Sequence, residues 1–160
     1  NTLRGKLPRE LRSLTSLTAL DLANNKLSGG IPSDLGLLSE LRVLDLRGNA
    51  LDGAIPSAIG TLSALVTLDL SRNSLGGEIP TEIRLLTDLQ ELFLSNNSDL
   101  SGSIPSSLGL LSQLVFLKLG GTSLTGELPE SLCAMLENGV LETIEVDCEL
   151  VECYCGCVCA

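Results

Sequence analysis

A 24-residue period is the feature that most constrains how this chain of 160 residues can fold. An asparagine recurs at this spacing, and an Ile-Pro pair recurs in step with it, with one extra residue before the last pair. The asparagines are Asn1, Asn25, Asn49, Asn73 and Asn97, and the pairs begin at Ile31, Ile55, Ile79 and Ile104. A fixed period of roughly 20 to 50 residues is the signature of stacked repeat units. The period therefore predicts a solenoid in which each unit buries its apolar side against its neighbours.

Each unit changes its hydrophobic periodicity partway along, and the change predicts the path of the backbone. In the unit at residues 38–61, the segment 43–47 alternates, so Leu44 and Leu46 point one way and their neighbours the other. Pro56 ends any strand, and Ser57–Gly60 has the spacing of a helical turn. We therefore predict an α/β repeat with one parallel sheet on one side and short helical turns or loops on the other. Residues 1–13 form a half repeat, and full repeats begin at Leu14, Leu38, Leu62, Leu86 and Leu111.

The repeated asparagine stands among leucines, where a polar side chain without partners is unfavourable. A buried amide left unpaired costs roughly 1–3 kcal/mol, so a repeated asparagine implies repeated hydrogen bonding. Its amide offers two donors and an acceptor to backbone groups. We predict a structural ladder of asparagines, with partners in the bend of each unit and in the next coil.

The net charge and the apolar segments of the sequence limit the classes of partner. The net charge of −10 argues against nucleic acid, because phosphate binding needs a basic surface. No segment has the 18 or more apolar residues of a membrane span. The chain opens in the second half of a repeat, so we expect it to be a fragment of a longer chain. Eight acidic residues and no basic ones follow Lys118, which predicts a solvated end or a docking site for a basic partner.

All six cysteines lie in the segment 133–160, which we predict to be an acidic cap separate from the repeats at 1–132. An even number of clustered cysteines favours disulfides in an oxidising compartment. Spacing leaves the pairing open, although Cys133 with Cys148 or Cys153 would tie the cap to the last strand. Metal binding by the C-x-C-x-C-x-C run and redox chemistry are the other readings. The cysteines are Cys133, Cys148, Cys153, Cys155, Cys157 and Cys159.

The segment LxxNxLxGxIPxxLGxL, as at Leu46 to Leu62 with Ile59 at one leucine position, resembles the plant-type leucine-rich-repeat family over residues 1 to about 132. The resemblance implies a right-handed, curved solenoid with the parallel sheet on its concave face, flanked by short extra strands and 3₁₀ turns. Such proteins usually recognise peptides, proteins or carbohydrates outside the cell. The cysteine-dense ending is similar to that of secreted leucine-rich-repeat proteins of algal type.

The variable positions on the concave strands are where selectivity is expected, because the framework leucines face inward. The two phenylalanines both fall in these positions on adjacent strands and are the best candidates for binding hot spots. Asp21, Asp45 and Asp69 form an acidic column whose role is either structural or in binding. The candidate ligand-binding residues are Asp45, Arg47, Asp69, Arg72, Glu91, Phe93, Phe116 and Lys118.

One irregularity separates the fourth repeat from the others. The segment Asn97–Leu100 has one residue more than its counterparts, which predicts a bulge after the fourth strand. Asn96-Asn97-Ser98 is also an N-x-[ST] sequon, so Asn96 is a candidate glycosylation site.

These features together predict a secreted or extracellular binding module for a protein or peptide, with carbohydrate as a further class of ligand. With no histidine and no G-x-S-x-G motif, a nucleophile has no recognisable base, so we predict no enzyme, no cofactor and no metal site. The alternative is a structural subunit of an extracellular or multi-protein assembly. An ice-binding surface is not favoured, since Thr67 and Thr143 are too sparse for a regular lattice, and the aspartate column is too short for a mineral-binding surface.

Overall fold

The computed structural model describes residues 2–160 and shows stacked coils, each giving one short strand to each of two parallel sheets. In chain order the strands are β1 Arg4–Gly5, β2 Ala19–Asp21, β3 Lys26–Gly29, β4 Val43–Asp45, β5 Ala50–Ala54, β6 Thr67–Asp69, β7 Ser74–Gly77, β8 Glu91–Phe93, β9 Asn97–Ser103, β10 Phe116–Lys118, β11 Thr122–Glu127, β12 Thr143–Val146, β13 Val151–Glu152 and β14 Val158–Cys159. The even-numbered strands form the main sheet, in the order β2 to β14. The odd-numbered strands form the second sheet, in the order β1 to β13.

The main sheet follows the alternation predicted from the repeats. Val43 of β4 lies opposite Thr67 of β6, and the next pair, Leu44 and Leu68, is fully buried. Successive coils therefore stack in register, with leucines inward and variable side chains outward. The predicted parallel-sheet solenoid is confirmed, and the second sheet corresponds to the extra strands that the family resemblance implies.

Short helices close each coil on the side away from the main sheet. All six prolines directly precede a helix. A residue at this position donates no hydrogen bond within the helix, so the helix loses nothing when proline has no backbone N–H. Five of these helices are of the 3₁₀ type and the last is α-helical. They lie at Arg9–Ser13, Ser33–Leu37, Ser57–Thr61, Thr81–Leu85 and Ser106–Leu110, followed by α1 at Glu130–Glu137.

The asparagine side chains bond to backbone groups between coils. Asn97 Oδ1 accepts from the Leu75 N–H at 3.0 Å, and Asn97 Nδ2 donates to the carbonyls of Leu70 at 3.1 Å and Leu94 at 2.8 Å. Asn49 and Asn73 repeat this pattern. The partners lie in the residue's own coil and in the preceding coil. The expectation of partners in the next coil was wrong, because the amide points back toward the N-terminal end of the stack. Asn1 lies outside the described residues.

The extra residue of the fourth repeat forms the predicted bulge. Thr122 of β11 is opposite Asn97 of β9, whereas Ser123 is opposite Ser101, so the register of the second sheet shifts there. The main sheet keeps its register, with Leu92 of β8 opposite Leu117 of β10. The bulge therefore leaves the strands of the main sheet aligned.

The cysteine-rich segment continues both sheets, since β12 and β14 extend the main sheet and β13 extends the second. Its disulfides are Cys133–Cys155, Cys148–Cys159 and Cys153–Cys157. The predicted disulfide cap is confirmed, but the suggested pairing of Cys133 with Cys148 or Cys153 was wrong. Val146 is opposite Cys159 in the parallel pair of β12 and β14, which brings Cys148 close to Cys159. Cys133 on α1 pairs with Cys155, and Cys153 with Cys157.

The core is complete in the central coils and open in the first one. Leu38 is fully buried, whereas Leu14, at the same position of the preceding repeat, is 50% exposed. Within residues 2–160, β2 is the edge strand of the main sheet, so the leucines on that side of the first full coil are only part-covered. On the other side β3 pairs with β1, and Leu27 is 5% exposed. Among the described residues, no helix has the length and apolar character that crossing a membrane requires.

Candidate functional site

The exposed face of the main sheet, here called the concave face, presents its side chains in three columns that cross the strands. Register places equivalent residues of successive coils about 4.8 Å apart. The first column is Ala19, Val43, Thr67, Glu91, Phe116 and Thr143. The second is Asp21, Asp45, Asp69, Phe93, Lys118 and Glu145. The third, two residues further along each coil, is Ala23, Arg47, Ser71, Ser95, Gly120 and Asp147.

The three aspartates of the second column hold the turn that follows each strand. Asp21, Asp45 and Asp69 each accept a hydrogen bond on Oδ1 from the backbone N–H two residues later, at 2.9 to 3.1 Å. Burial raises the pKa of Asp45 above its ordinary value, and the hydrogen bond from the Arg47 N–H opposes that shift only in part. These contacts are local, so the acidic column is explained by the turns.

The second column changes character at the fourth coil, where Phe93 replaces aspartate. In the third coil the Ser71 hydroxyl donates to Asp69 Oδ1 at 2.6 Å. Ser95 occupies the same position as Ser71, but Phe93 offers it no acceptor. Its hydroxyl is buried and has no hydrogen-bond partner within residues 2–160, and the residue is only 8% exposed. Buried hydroxyls are usually paired, so this one marks an unusual place on the face.

The two phenylalanines lie on adjacent strands but not side by side. Phe93 is opposite Lys118, and Phe116 is opposite Glu91. The Lys118 Nζ lies 6.0 Å from the centroid of the Phe93 ring, within range of a cation–π contact. The sequence placed both rings in concave positions, and the register separates them into different columns.

An open cavity of about 500 Å³ lies where the main strands end, with Phe93 and Ser95 in its lining. It crosses the coils from Asn24 in the first full repeat to Glu145 in β12. Five of the predicted ligand-binding residues line it, and Asp45, Glu91 and Phe116 do not. The complete lining is Asn24, Arg47, Asp69, Ser71, Arg72, Phe93, Ser95, Asn96, Lys118 and Glu145.

Two of the three cations in the cavity are neutralised by neighbouring carboxylates. Arg47 lies 3.7 Å from Asp69 and 3.5 Å from Asp45, and Lys118 lies 3.6 Å from Glu145. Arg72 is exposed and enters no ion pair within residues 2–160. The cavity therefore presents one uncompensated guanidinium in a chain whose net charge is −10.

Arg72 also has an unusual backbone conformation. Its φ of 55° is left-handed, as are those of Asn24, Gly48, Asn96 and Gly121 at the same position of other coils. Asparagine and glycine tolerate this region, whereas other residues are strained there by roughly 1–2 kcal/mol. Strained backbone persists where the surroundings impose it and is enriched at functional sites.

We expect Arg72→Asn to raise the free energy of unfolding by about 0.5–1 kcal/mol, because asparagine is the residue of this position in the first and fourth full repeats. Urea denaturation with the disulfides intact measures the change. Arg72→Ala is the matched control, since it removes the same side chain and retains the strain. Equal stability of the two variants would show that the conformation carries no penalty.

Sequence reasoning found the charged and aromatic lining and missed the polar part. Ser71, Ser95 and Glu145 were recognised only as variable positions of the strands, and Asn24 was not predicted. The signal was present in the pattern, because Asp-x-Ser at residues 69–71 becomes Phe-x-Ser at residues 93–95. Asn96 is exposed at the rim of the cavity, so a glycan there would stand beside the site.

The cysteine cap holds the one cluster of metal-type ligands within the described residues. The Sγ atoms of Cys153, Cys155 and Cys157 lie within 4.8 Å of one another. All three are in disulfides, and a disulfide sulfur is a poor metal ligand compared with a thiolate. The cluster is accounted for by the disulfides of the cap.

The coil geometry defines a parallel-sheet repeat solenoid, and sequence comparison gives its family. Profiles described as leucine rich repeat match residues 39–100, 16–38 and 113–135, which together make up more than half of the chain. The chain belongs to the leucine-rich-repeat family, which confirms the resemblance found in the sequence. A search of curated protein sequences gives no significant match.

Solved structures extend this likeness to plant receptors. The plant peptide hormone receptor RGFR1 in complex with RGF2 is 42% identical over 89% of this chain, with a TM-score of 0.86. The Arabidopsis receptor kinase HAESA ectodomain in complex with an IDA peptide hormone is 35% identical over 92%, with a TM-score of 0.84. A plant ice-binding protein is 31% identical over 91% of this chain and 45% of its own, with a TM-score of 0.79. The chain spans 22% and 24% of the two receptor chains.

Proposed function

We propose that this chain is an extracellular binding module whose concave face holds a peptide or an extended segment of a protein. The observation that carries the proposal is the cavity that crosses the ends of the main strands. Its lining combines an aromatic ring, the unpaired Ser95 hydroxyl and a cation outside the ion pairs of residues 2–160, which are elements of a selective binding surface. Similar structures support the class of ligand, since RGFR1 and HAESA are each complexed with a peptide hormone.

The dimensions of the cavity fit an extended chain. Its lining runs from Asn24 to Glu145 over six successive coils, a span of about 24 Å at about 4.8 Å per strand. An extended peptide rises about 3.4 Å per residue, so about seven residues would fill that length. The main-chain groups of the sheet pair with one another, and the ligand would therefore be held by side chains.

The proposed compartment and the absence of catalysis follow from the same observations. Three disulfides close the C-terminal segment, and disulfides persist in oxidising compartments. The lining holds no histidine or cysteine, and the carboxylate beside Ser71, that of Asp69, is held in the turn by the Ser71 N–H. We therefore assign binding, and not turnover of a substrate, to this face.

Phe93→Ala is expected to weaken peptide binding about 10-fold, because a half-buried ring at the centre of a cavity is a typical hot spot. Phe116→Ala is the matched control and is expected to change affinity less than about 2-fold, since Phe116 is outside the lining. A displayed library of random 12-residue peptides is selected on the immobilised chain, and calorimetry measures the affinity of single selected peptides.

Two results would contradict the proposal. One is a selection that yields no peptide with saturable binding to the folded chain. The other is a set of peptides whose affinities fall equally in the Phe93→Ala and Phe116→Ala variants, which would place the contact away from the cavity.

A further inference from the structure

We infer that the cavity binds a carboxylate group of its ligand at Ser95 and Arg72, where the ligand replaces an aspartate that the fourth coil lacks. The inference rests on the proposed function and specifies which chemical group the site recognises. It derives from a comparison of neighbouring coils, which have the same backbone path and differ in a few side chains.

The third coil shows what the fourth coil is missing. The Asp69 carboxylate accepts hydrogen bonds from the N–H and the hydroxyl of Ser71, at 2.9 and 2.6 Å. In the fourth coil Ser95 keeps both donors, but Phe93 stands where the carboxylate would be. The protein therefore retains the donors of a carboxylate site and lacks the carboxylate.

The Ser95 hydroxyl is the donor of the fourth coil that lacks an acceptor. The residue is 8% exposed, lines the cavity, and its hydroxyl has no partner within residues 2–160. A buried donor without an acceptor is unfavourable until a ligand supplies one. Rotation about one side-chain bond moves a serine hydroxyl between its staggered positions, so an acceptor in the cavity can be reached.

The charges of the cavity lining favour an anion as the acceptor for the Ser95 hydroxyl. Arg72 lines the same cavity and enters no ion pair within residues 2–160, whereas Arg47 and Lys118 are already paired. A guanidinium binds a carboxylate through two parallel N–H bonds. The lining holds three cations and two carboxylates, a net charge of +1, which a singly charged group balances and a doubly charged phosphate exceeds. A singly charged carboxylate offers an acceptor for the Ser95 hydroxyl and the opposite charge for Arg72.

Phe93→Asp tests the inference directly, because it restores the aspartate of the preceding coils. The new carboxylate would accept from Ser95, as Asp69 does from Ser71, and would exclude a ligand carboxylate. The matched control is Phe116→Asp, which adds the same charge on the next strand, outside the cavity lining. Ser95→Ala removes the hydroxyl and is expected to weaken carboxylate binding about 5-fold.

Four probes are titrated at constant ionic strength, and the backbone amide shifts of residues 93 to 96 are followed by NMR. Sodium acetate reports carboxylate binding alone. Acetyl-Gly-Gly-Gly with a free C-terminus and acetyl-Gly-Asp-Gly-amide distinguish a terminal from a side-chain carboxylate. Acetyl-Gly-Asn-Gly-amide is the neutral control.

The expected result is saturable acetate binding in the millimolar range by the unmodified chain and by Phe116→Asp, with none by Phe93→Asp. Acetate shifts that never saturate, or equal binding by Phe93→Asp, would overturn the inference. Should Phe93→Asp not fold, unchanged affinity of Ser95→Ala would overturn it instead. Acetate binding tests the carboxylate subsite without a peptide. If peptides are selected but acetate does not bind, this inference is rejected and the proposed function stands. If acetate binds but no peptide is selected, the proposed function is rejected and the carboxylate subsite stands.

Discussion

Asn97→Ala is expected to lower the free energy of unfolding by about 4 kcal/mol, a large share of the stability of a small protein. The Asn97 side chain is fully buried, and its amide bonds to the Leu75 N–H and to the carbonyls of Leu70 and Leu94. Removing the amide leaves the Leu75 N–H and the Leu94 carbonyl without this partner, each at about 1–3 kcal/mol, whereas the Leu70 carbonyl still accepts from Asn73 Nδ2. Urea denaturation with intact disulfides measures the loss, and the denaturant slope checks that the whole solenoid still unfolds together.

Asn25→Ala is the matched control for this prediction. Asn25 makes the same types of bond, to the Leu3 N–H and the Leu22 carbonyl, but in the first, partly open coil. Water reaches the groups that it leaves behind, so the expected loss is about 1 kcal/mol. Equal losses in the two variants would mean that burial does not decide the strength of these bonds.

The fold was predictable from the sequence because one spacing determines both strand register and core. Leu44 and Leu46 alternate within a strand, and the same positions recur every 24 residues, so stacking places them on leucines. The direction of the asparagine amides was not predictable, since both neighbouring coils offer backbone partners. The helix at Glu130–Glu137 was missed for a related reason, because this segment no longer follows the repeat pattern that identifies the other turns.

The candidate site was predictable only as a set of columns. Alternation placed Phe93 and Phe116 on the concave face, but their different columns follow from the register of β8 and β10. The role of Ser95 depends on burial and on the absence of an acceptor, which are properties of the packed structure. The cysteine pairing likewise required the positions of α1 and β14, because six cysteines permit 15 pairings.

Replacing both Cys133 and Cys155 with alanine is expected to lower the free energy of unfolding by about 3 kcal/mol. Their disulfide spans 22 residues, which is the largest of the three loops in the cap. Losing it restores the most conformational freedom to the unfolded chain, and the effect grows with the logarithm of loop length. Urea denaturation of the oxidised double variant measures the change, and mass spectrometry verifies the two remaining disulfides.

Cys153 and Cys157 provide the matched control, because their disulfide spans only four residues and its removal is expected to cost about 2 kcal/mol. The two double variants should also differ in where they loosen. Cys133 lies on α1, so amide hydrogen exchange should accelerate across Glu130–Glu137 in the Cys133/Cys155 variant. Faster exchange in that helix in both variants would show that the cap acts as one unit. Unchanged exchange in both variants would show that packing of Leu132 and Met135 alone holds the helix.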